Sequence, residues 1–112
     1  MSQIYEYPIT GKVQGDGNQT IDKSVVSELA NATRHQVTII PEGATGGSVA
    51  VLVKPYGASA YEALTINGTA VSISIASPKT YVFEGNIDAI RFVPTSVTGG
   101  DGTYGAAVSG WK

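Results

Sequence analysis

Apolar residues recur at every second position along most of this chain, and helical spacing is scarce. Such alternation marks strands with one face turned toward a core. It is plainest from Ser48 to Tyr56, where Val49, Val51 and Val53 share one face and Ala50, Leu52 and Lys54 the other. The valine run predicts a strand covered on both sides at its centre. Glu62 to Asn67 places Leu64 and Ile66 two apart, and Val71, Ile73 and Ile75 alternate with Ser72, Ser74 and Ala76. Asn67-Gly68 sits between these runs. Both residues tolerate the positive φ of a type I′ turn, so the pair predicts a hairpin.

Further along, Lys79 to Glu84 puts Tyr81 and Phe83 on one face, and Gly85-Asn86 turns the chain. In Ile87 to Thr95, Ile90 and Phe92 point inward. Ile87 is out of phase with them, which predicts a bulge or an irregular entry. Tyr104 to Trp111 sets Tyr104, Ala106 and Val108 opposite Ala107, Ser109 and Trp111. Upstream, Gln36 to Ile40 alternates through Val37 and Ile39. Thr20 to Leu29 is ambiguous: Ser24 to Ala32 also admits two helical turns with Val25, Val26 and Leu29 on one face. The strand reading is preferred because its neighbours are β. Pro8, Pro41, Pro55, Pro78 and Pro94 fall near strand ends, where a missing N–H is tolerated. Eight or nine short strands in 112 residues predict an all-β fold, an antiparallel sandwich or jelly-roll-like barrel, as a single domain over 1–112. Jelly-roll and immunoglobulin-like strand orders use the same short strands, so the pattern does not choose between them.

Composition narrows the function classes. Charged residues make up 14% of the chain, against roughly 25% in ordinary domains. The seven lysines and arginines are scattered and the net charge is -2, so no cationic face for nucleic acid is expected. No run approaches the roughly 20 apolar residues of a membrane span. The start, MSQIYEYPIT, does not read as a secretion signal, and the expectation is a soluble product made in a cytoplasm. In that setting Asn18, Asn31 and Asn67, each in an acceptor tripeptide, read as turn residues and not glycosylation sites. With no cysteine, neither a disulfide framework nor a thiolate metal site is available.

Candidate chemistry is thin. His35, the sole histidine, reads as an exposed strand-entry residue; general-base work would need an orienting carboxylate and a nucleophile beside it. Asp16, Asn18, Thr20 and Asp22 resemble the opening of a calcium loop. The sixth and twelfth positions hold Ile21 and Ser27 instead of Gly and Glu, so they read as a polar turn. The glycine run Gly43–Ser48 leads into a strand, whereas a phosphate cradle leads into a helix. Glu84 and Asp88 read as solvated loop acids. No catalytic residue, cofactor or metal site is expected.

The aromatics remain. Tyr5, Tyr7, Tyr56, Tyr61, Tyr81, Tyr104 and Trp111 suit a core, a subunit interface or a sugar-stacking platform, and core or interface is preferred. Ile4, Tyr5, Tyr7 and Trp111 are the candidate protein-interface residues. Ile4-Tyr5-Glu6-Tyr7-Pro8 is apolar and aromatic, which suits addition to a neighbour's sheet edge. Its alternative is an ordinary first strand.

The C-terminal pattern IDAIRFVPTSVTGG…GTYGAAVSGW resembles small structural proteins of tailed bacteriophages. The resemblance rests on Ile87, Ala89, Ile90, Phe92, Thr98, Gly99, Val108 and Trp111, about a quarter of the chain. It implies a non-enzymatic virion component, a capsid decoration or head-associated protein or a small tail module. The implied partners are further copies of itself and a phage capsid or tail protein. It would be made in the bacterial host cytoplasm. The rival reading is a carbohydrate-binding or receptor-recognition sandwich.

Overall fold

Successive strands alternate between two antiparallel sheets. The computed structural model describes residues 2–112. Its strands are β1 (Gln3–Lys12), β2 (Gln19–Asp22), β3 (Arg34–Ile40), β4 (Gly46–Pro55), β5 (Glu62–Ala63), β6 (Thr65–Ile66), β7 (Thr69–Ala70), β8 (Ser72–Ser74), β9 (Tyr81–Glu84), β10 (Ile87–Thr98) and β11 (Tyr104–Trp111). The first sheet runs β1-β11-β3-β9; the second runs β2-β10-β4-β5, with β8 also bonded to β4. The chain crosses between sheets at each step from β1 to β4 and again from β9 to β11. This order is that of a jelly roll, two Greek keys wrapped face to face. The all-β sandwich expected from alternation is therefore present, and the strand order chooses the jelly roll over the immunoglobulin arrangement.

The core lies between the sheets, and the alternation that forecast it holds at its centre. Val49, Val51 and Val53 from β4 meet Ile90 and Phe92 from β10, Tyr104, Ala106 and Val108 from β11, and Val37 and Ile39 from β3, all buried. The opposite face of β4 is only half-buried at Ala50, Leu52 and Lys54. The cover expected on this second face is therefore only partial; β4 is central through its hydrogen bonds, to β10 along one edge and to β5 and β8 along the other. Register shifts in the β10–β4 pair fall between Ile87 and Ala89 and between Thr95 and Thr98. The first is the bulge that the phase of Ile87 predicted.

The strand after β4 is split. β5 and β8 lie end to end along β4, and the β6–β7 hairpin buds out between them. At the base of the bud, Val51 N–H donates to Val71 O, Leu64 N–H donates to Val51 O, and Val71 N–H donates to Leu64 O. Asn67 and Gly68 have φ of 54° and 79°, as a type I′ tip requires.

Two expectations are corrected. Ser24 to Leu29 is neither strand nor α-helix. β2 stops at Asp22, whose carboxylate accepts from Ser24 N–H at 2.9 Å and whose carbonyl accepts from the N–H groups of Val25 and Val26. Asp satisfying the backbone just ahead of it makes a turn and ends the ladder. A 3-10 turn at Leu29–Asn31 follows, and Leu29 and Ala32 plug the core from its end while Val25 is left exposed. The second correction is His35. It is fully buried, in phase with Val37 and Ile39 on the inner face of β3.

Candidate functional site

The N-terminal candidates pack into the sandwich. β1 is an edge strand bonded to β11, with a register shift between Gln3 and Tyr5 that turns both Ile4 and Tyr5 toward the core. Tyr7 is half-buried against the same core. Of the sequence candidates, Tyr5 is the most enclosed. Its ring crosses Gly110, its partner on β11, where an added Cβ would overlap the ring. Beyond Gly110 in the same row stand His35 and Phe83.

Tyr5 Oη lies 2.7 Å from His35 Nδ1, and His35 Nε2 lies 3.0 Å from the carbonyl of Gly85. A carbonyl only accepts, so Nε2 carries the proton and Nδ1 accepts from the Tyr5 hydroxyl. Phe83 stacks on the imidazole with ring centres 5.0 Å apart. Burial holds the His35 pKa below its ordinary value and pushes that of Tyr5 up. Both groups are kept neutral, because an ion here would lose its hydration and meet no counter-charge. This is a sealed polar tie between β1, β3 and the turn before β10.

Trp111 lies on the other side of the same sheet. It is half-buried on the outer face, next to Arg34, its partner on β3. With Gln36 and Val82 these two line a shallow depression of about 250 Å3. Val82 is 41% exposed, a large apolar group standing out of β9. Between them the face carries short side chains, Ala107, Ser109 and Thr38. The ion pair found among the described residues is Lys23 with Asp88; Arg34 stands beside Glu84, its partner on β9, without closing an ion pair with it.

The other acids are engaged separately. Asp16 accepts from Val13 N–H and Asp22 from Ser24, and among the described residues no three metal-ligating side chains converge. Asp88 is buried and not the solvated acid expected. It accepts from Gly57 N–H at 3.0 Å and faces Lys23 at 3.4 Å. The Gly57 bond is the main reason its carboxyl is held below the usual range, with Lys23 adding to it. Its Oδ1 is buried without a hydrogen bond, so the Lys23 contact is one of charge.

The tyrosines do not line up as a stacking platform. Tyr5 and Tyr104 are buried, Tyr7 and Tyr81 pack on the core, and the Tyr61 ring is covered by Arg91, 3.8 Å from its centre. Tyr56 stands alone at 67% exposed.

No family model matches the chain, and no curated protein matches it. Among solved structures, the SPBc2 prophage-derived protein YomS superposes with a TM-score of 0.58 at 12% identity, over 94% of this chain and 92% of YomS. A structure of Bacillus endospore appendages, described as disulfide-linked pili, gives 0.46 at 14% identity over 97% of this chain and 86% of that one. The Tobacco streak virus coat protein gives 0.42 at 11% identity over 93% and 85%. At such identities the YomS likeness establishes a shared fold.

Proposed function

We propose that this protein is a non-enzymatic structural component of a bacteriophage particle, a capsid decoration or head-associated protein that binds a repeating lattice as a homo-oligomer. The observation that carries this reading is the outer face of the first sheet. A tryptophan, an arginine outside any ion pair and two exposed aliphatics, Val82 and Ile40, are set there around short central side chains, with Glu6 and Glu84 out on the edge strands. Trp and Arg are the residue types that anchor protein interfaces, while Lys and Glu are depleted in interface cores. The jelly roll shared with a prophage-derived protein across nearly the whole chain supports a phage origin. The scattered tyrosines, by contrast, lend nothing to the carbohydrate reading.

Function in this reading is surface burial repeated many times. Each contact is modest, and a lattice raises the effective concentration of the next. The test is to purify particles from the phage or prophage whose genes flank this one and look for the chain in them. The expected result is a stoichiometric band that co-sediments with heads, and deletion particles that rupture at lower temperature. Particles that lack the protein in wild-type preparations would refute the assignment.

A further inference from the structure

We propose that the outer face of the first sheet is a two-fold contact with a second copy of this chain, in which Trp111 of each copy lies against Arg34 of the other. This rests on the assembly reading above and gives it a surface. The register supplies the geometry. On β11 and β3, the two central strands, Trp111 pairs with Arg34 and Ser109 with Gln36. An axis running along the strands, in the face and between β11 and β3, carries each member of a pair onto the other. Trp111 then meets Arg34 of the second copy, and Ser109 meets Gln36.

The chemistry of these positions fits that exchange. A guanidinium over an indole face is favourable, and more so once water is removed. Arg34 has no ion pair to give up. The chain already uses the same contact on its other sheet, between Arg91 and Tyr61. Ser109 and Gln36 supply a hydrogen bond. The carboxylates of the face, Glu6 on β1 and Glu84 on β9, stand in different rows, Glu6 with Ser109 and Glu84 with Arg34. The axis therefore sets neither against its own copy. Ala107 and Thr38 leave room at the centre of the face for two sheets to approach to about 10 Å, while Glu42 lies across Gly105 at its far end.

Area decides the strength. Four strands about 4.8 Å apart, crossed by the length of β3 at about 3.4 Å per residue, give a footprint of roughly 450 Å2 per copy. A stable interface takes about 800 Å2 from each partner. The contact is therefore weak and reversible in solution, and holds when neighbouring copies are fixed on a lattice.

Sedimentation velocity on the full chain between about 10 μM and 1 mM, where weak contacts of this size fall, reads the dimer directly. The expected result is a concentration-dependent monomer–dimer equilibrium. Trp111→Ala should raise Kd about thirtyfold, the loss typical of an interface anchor. Arg34→Glu, at an exposed position that folding does not need, should raise it at least about tenfold. Arg34→Trp combined with Trp111→Arg should restore association, and Tyr56→Ser, on a distant loop, should leave it unchanged. A dimer indifferent to both single variants overturns the inference and spares the assembly reading. So does a monomer at 1 mM that still co-sediments with particles, which gives this face to the lattice protein. A monomer that binds no particles defeats both.

Discussion

Removing one hydroxyl from Tyr5 tests whether the buried tie between β1 and β3 is worth its polar atoms. Tyr5→Phe keeps the ring over Gly110, so no cavity opens and the apolar contacts survive. What is lost is the donor to His35 Nδ1, 2.7 Å away. The imidazole cannot compensate by changing tautomer, because moving the proton to Nδ1 would set a bare Nε2 against the Gly85 carbonyl. One buried acceptor is left unsatisfied whichever way the proton goes. That costs about 1–3 kcal/mol, out of a total stability of about 5–15 kcal/mol. At about 2.1 cal/mol/K per residue of unfolding entropy, the same loss lowers Tm by roughly 4–13 °C. Urea unfolding followed by the fluorescence of the single tryptophan would show a lower midpoint with an unchanged slope. The decisive arm is the double variant Tyr5→Phe with His35→Leu. Replacing both polar partners by apolar groups removes the buried orphan. The Gly85 carbonyl also loses its donor, but Gly85 is exposed and water can take that place, so most of the loss should be recovered. A Tyr5→Phe protein within about 0.3 kcal/mol of wild type, or a double variant no better than the single, would refute the reasoning.

Other predictions follow from the same geometry. Because burial depresses the His35 pKa, the unfolded chain takes up a proton below about pH 6.5 that the folded chain refuses. Stability should therefore be flat above that pH and fall below it, down to the folded-state pKa. The NMR signals of the single histidine should show no titration near 6.5 in the native protein. Gly47→Ala should cost more than about 2 kcal/mol, since φ is +103° and a Cβ would stand 2.5 Å from Ser96 O; thermal unfolding measures it, and a neutral result would mean the bulge there relaxes freely. Trp111→Ala should cost about 2 kcal/mol in monomer stability, less than the about 3–5 kcal/mol of a core tryptophan. The backbone bond from Thr33 N–H to Trp111 O survives that change. A full core-sized loss in urea titration would put the indole inside the sandwich.

Alternation was legible wherever a strand buries one face. Val49, Val51, Val53, Ile90, Phe92, Tyr104, Ala106 and Val108 all point as their phase indicates. The hairpin tip was legible because two adjacent positive φ angles demand residues such as Asn and Gly. His35 was misread although its phase was visible: Val37 and Ile39 point inward, so a residue two positions earlier does too. The missing signal was the partner, since Tyr5 lies 30 residues away and only the fold brings its hydroxyl to the ring. Asp22 misled for a local reason. Its carboxylate turns the chain at Ser24, and the apolar residues beyond it look like strand but plug a corner. The outer face was legible only as a lone tryptophan. Arg34, Gln36 and Val82 lie on strands distant in sequence, and no spacing rule joins them.

The bud on the second sheet bears on how this protein can be altered. Beneath the β6–β7 hairpin the ladder is already closed, since Val51 bonds to both Leu64 and Val71, and these two bond to each other. The six residues from Thr65 to Ala70 thus leave and re-enter at one rung, outside the load path of the sheet. Lengthening such a loop costs only about 0.6 kcal/mol per doubling. Foreign peptides spliced in at the Asn67-Gly68 tip, which leaves Ile66 packed against the core, should therefore ride on an intact jelly roll, one cargo for every copy of the chain.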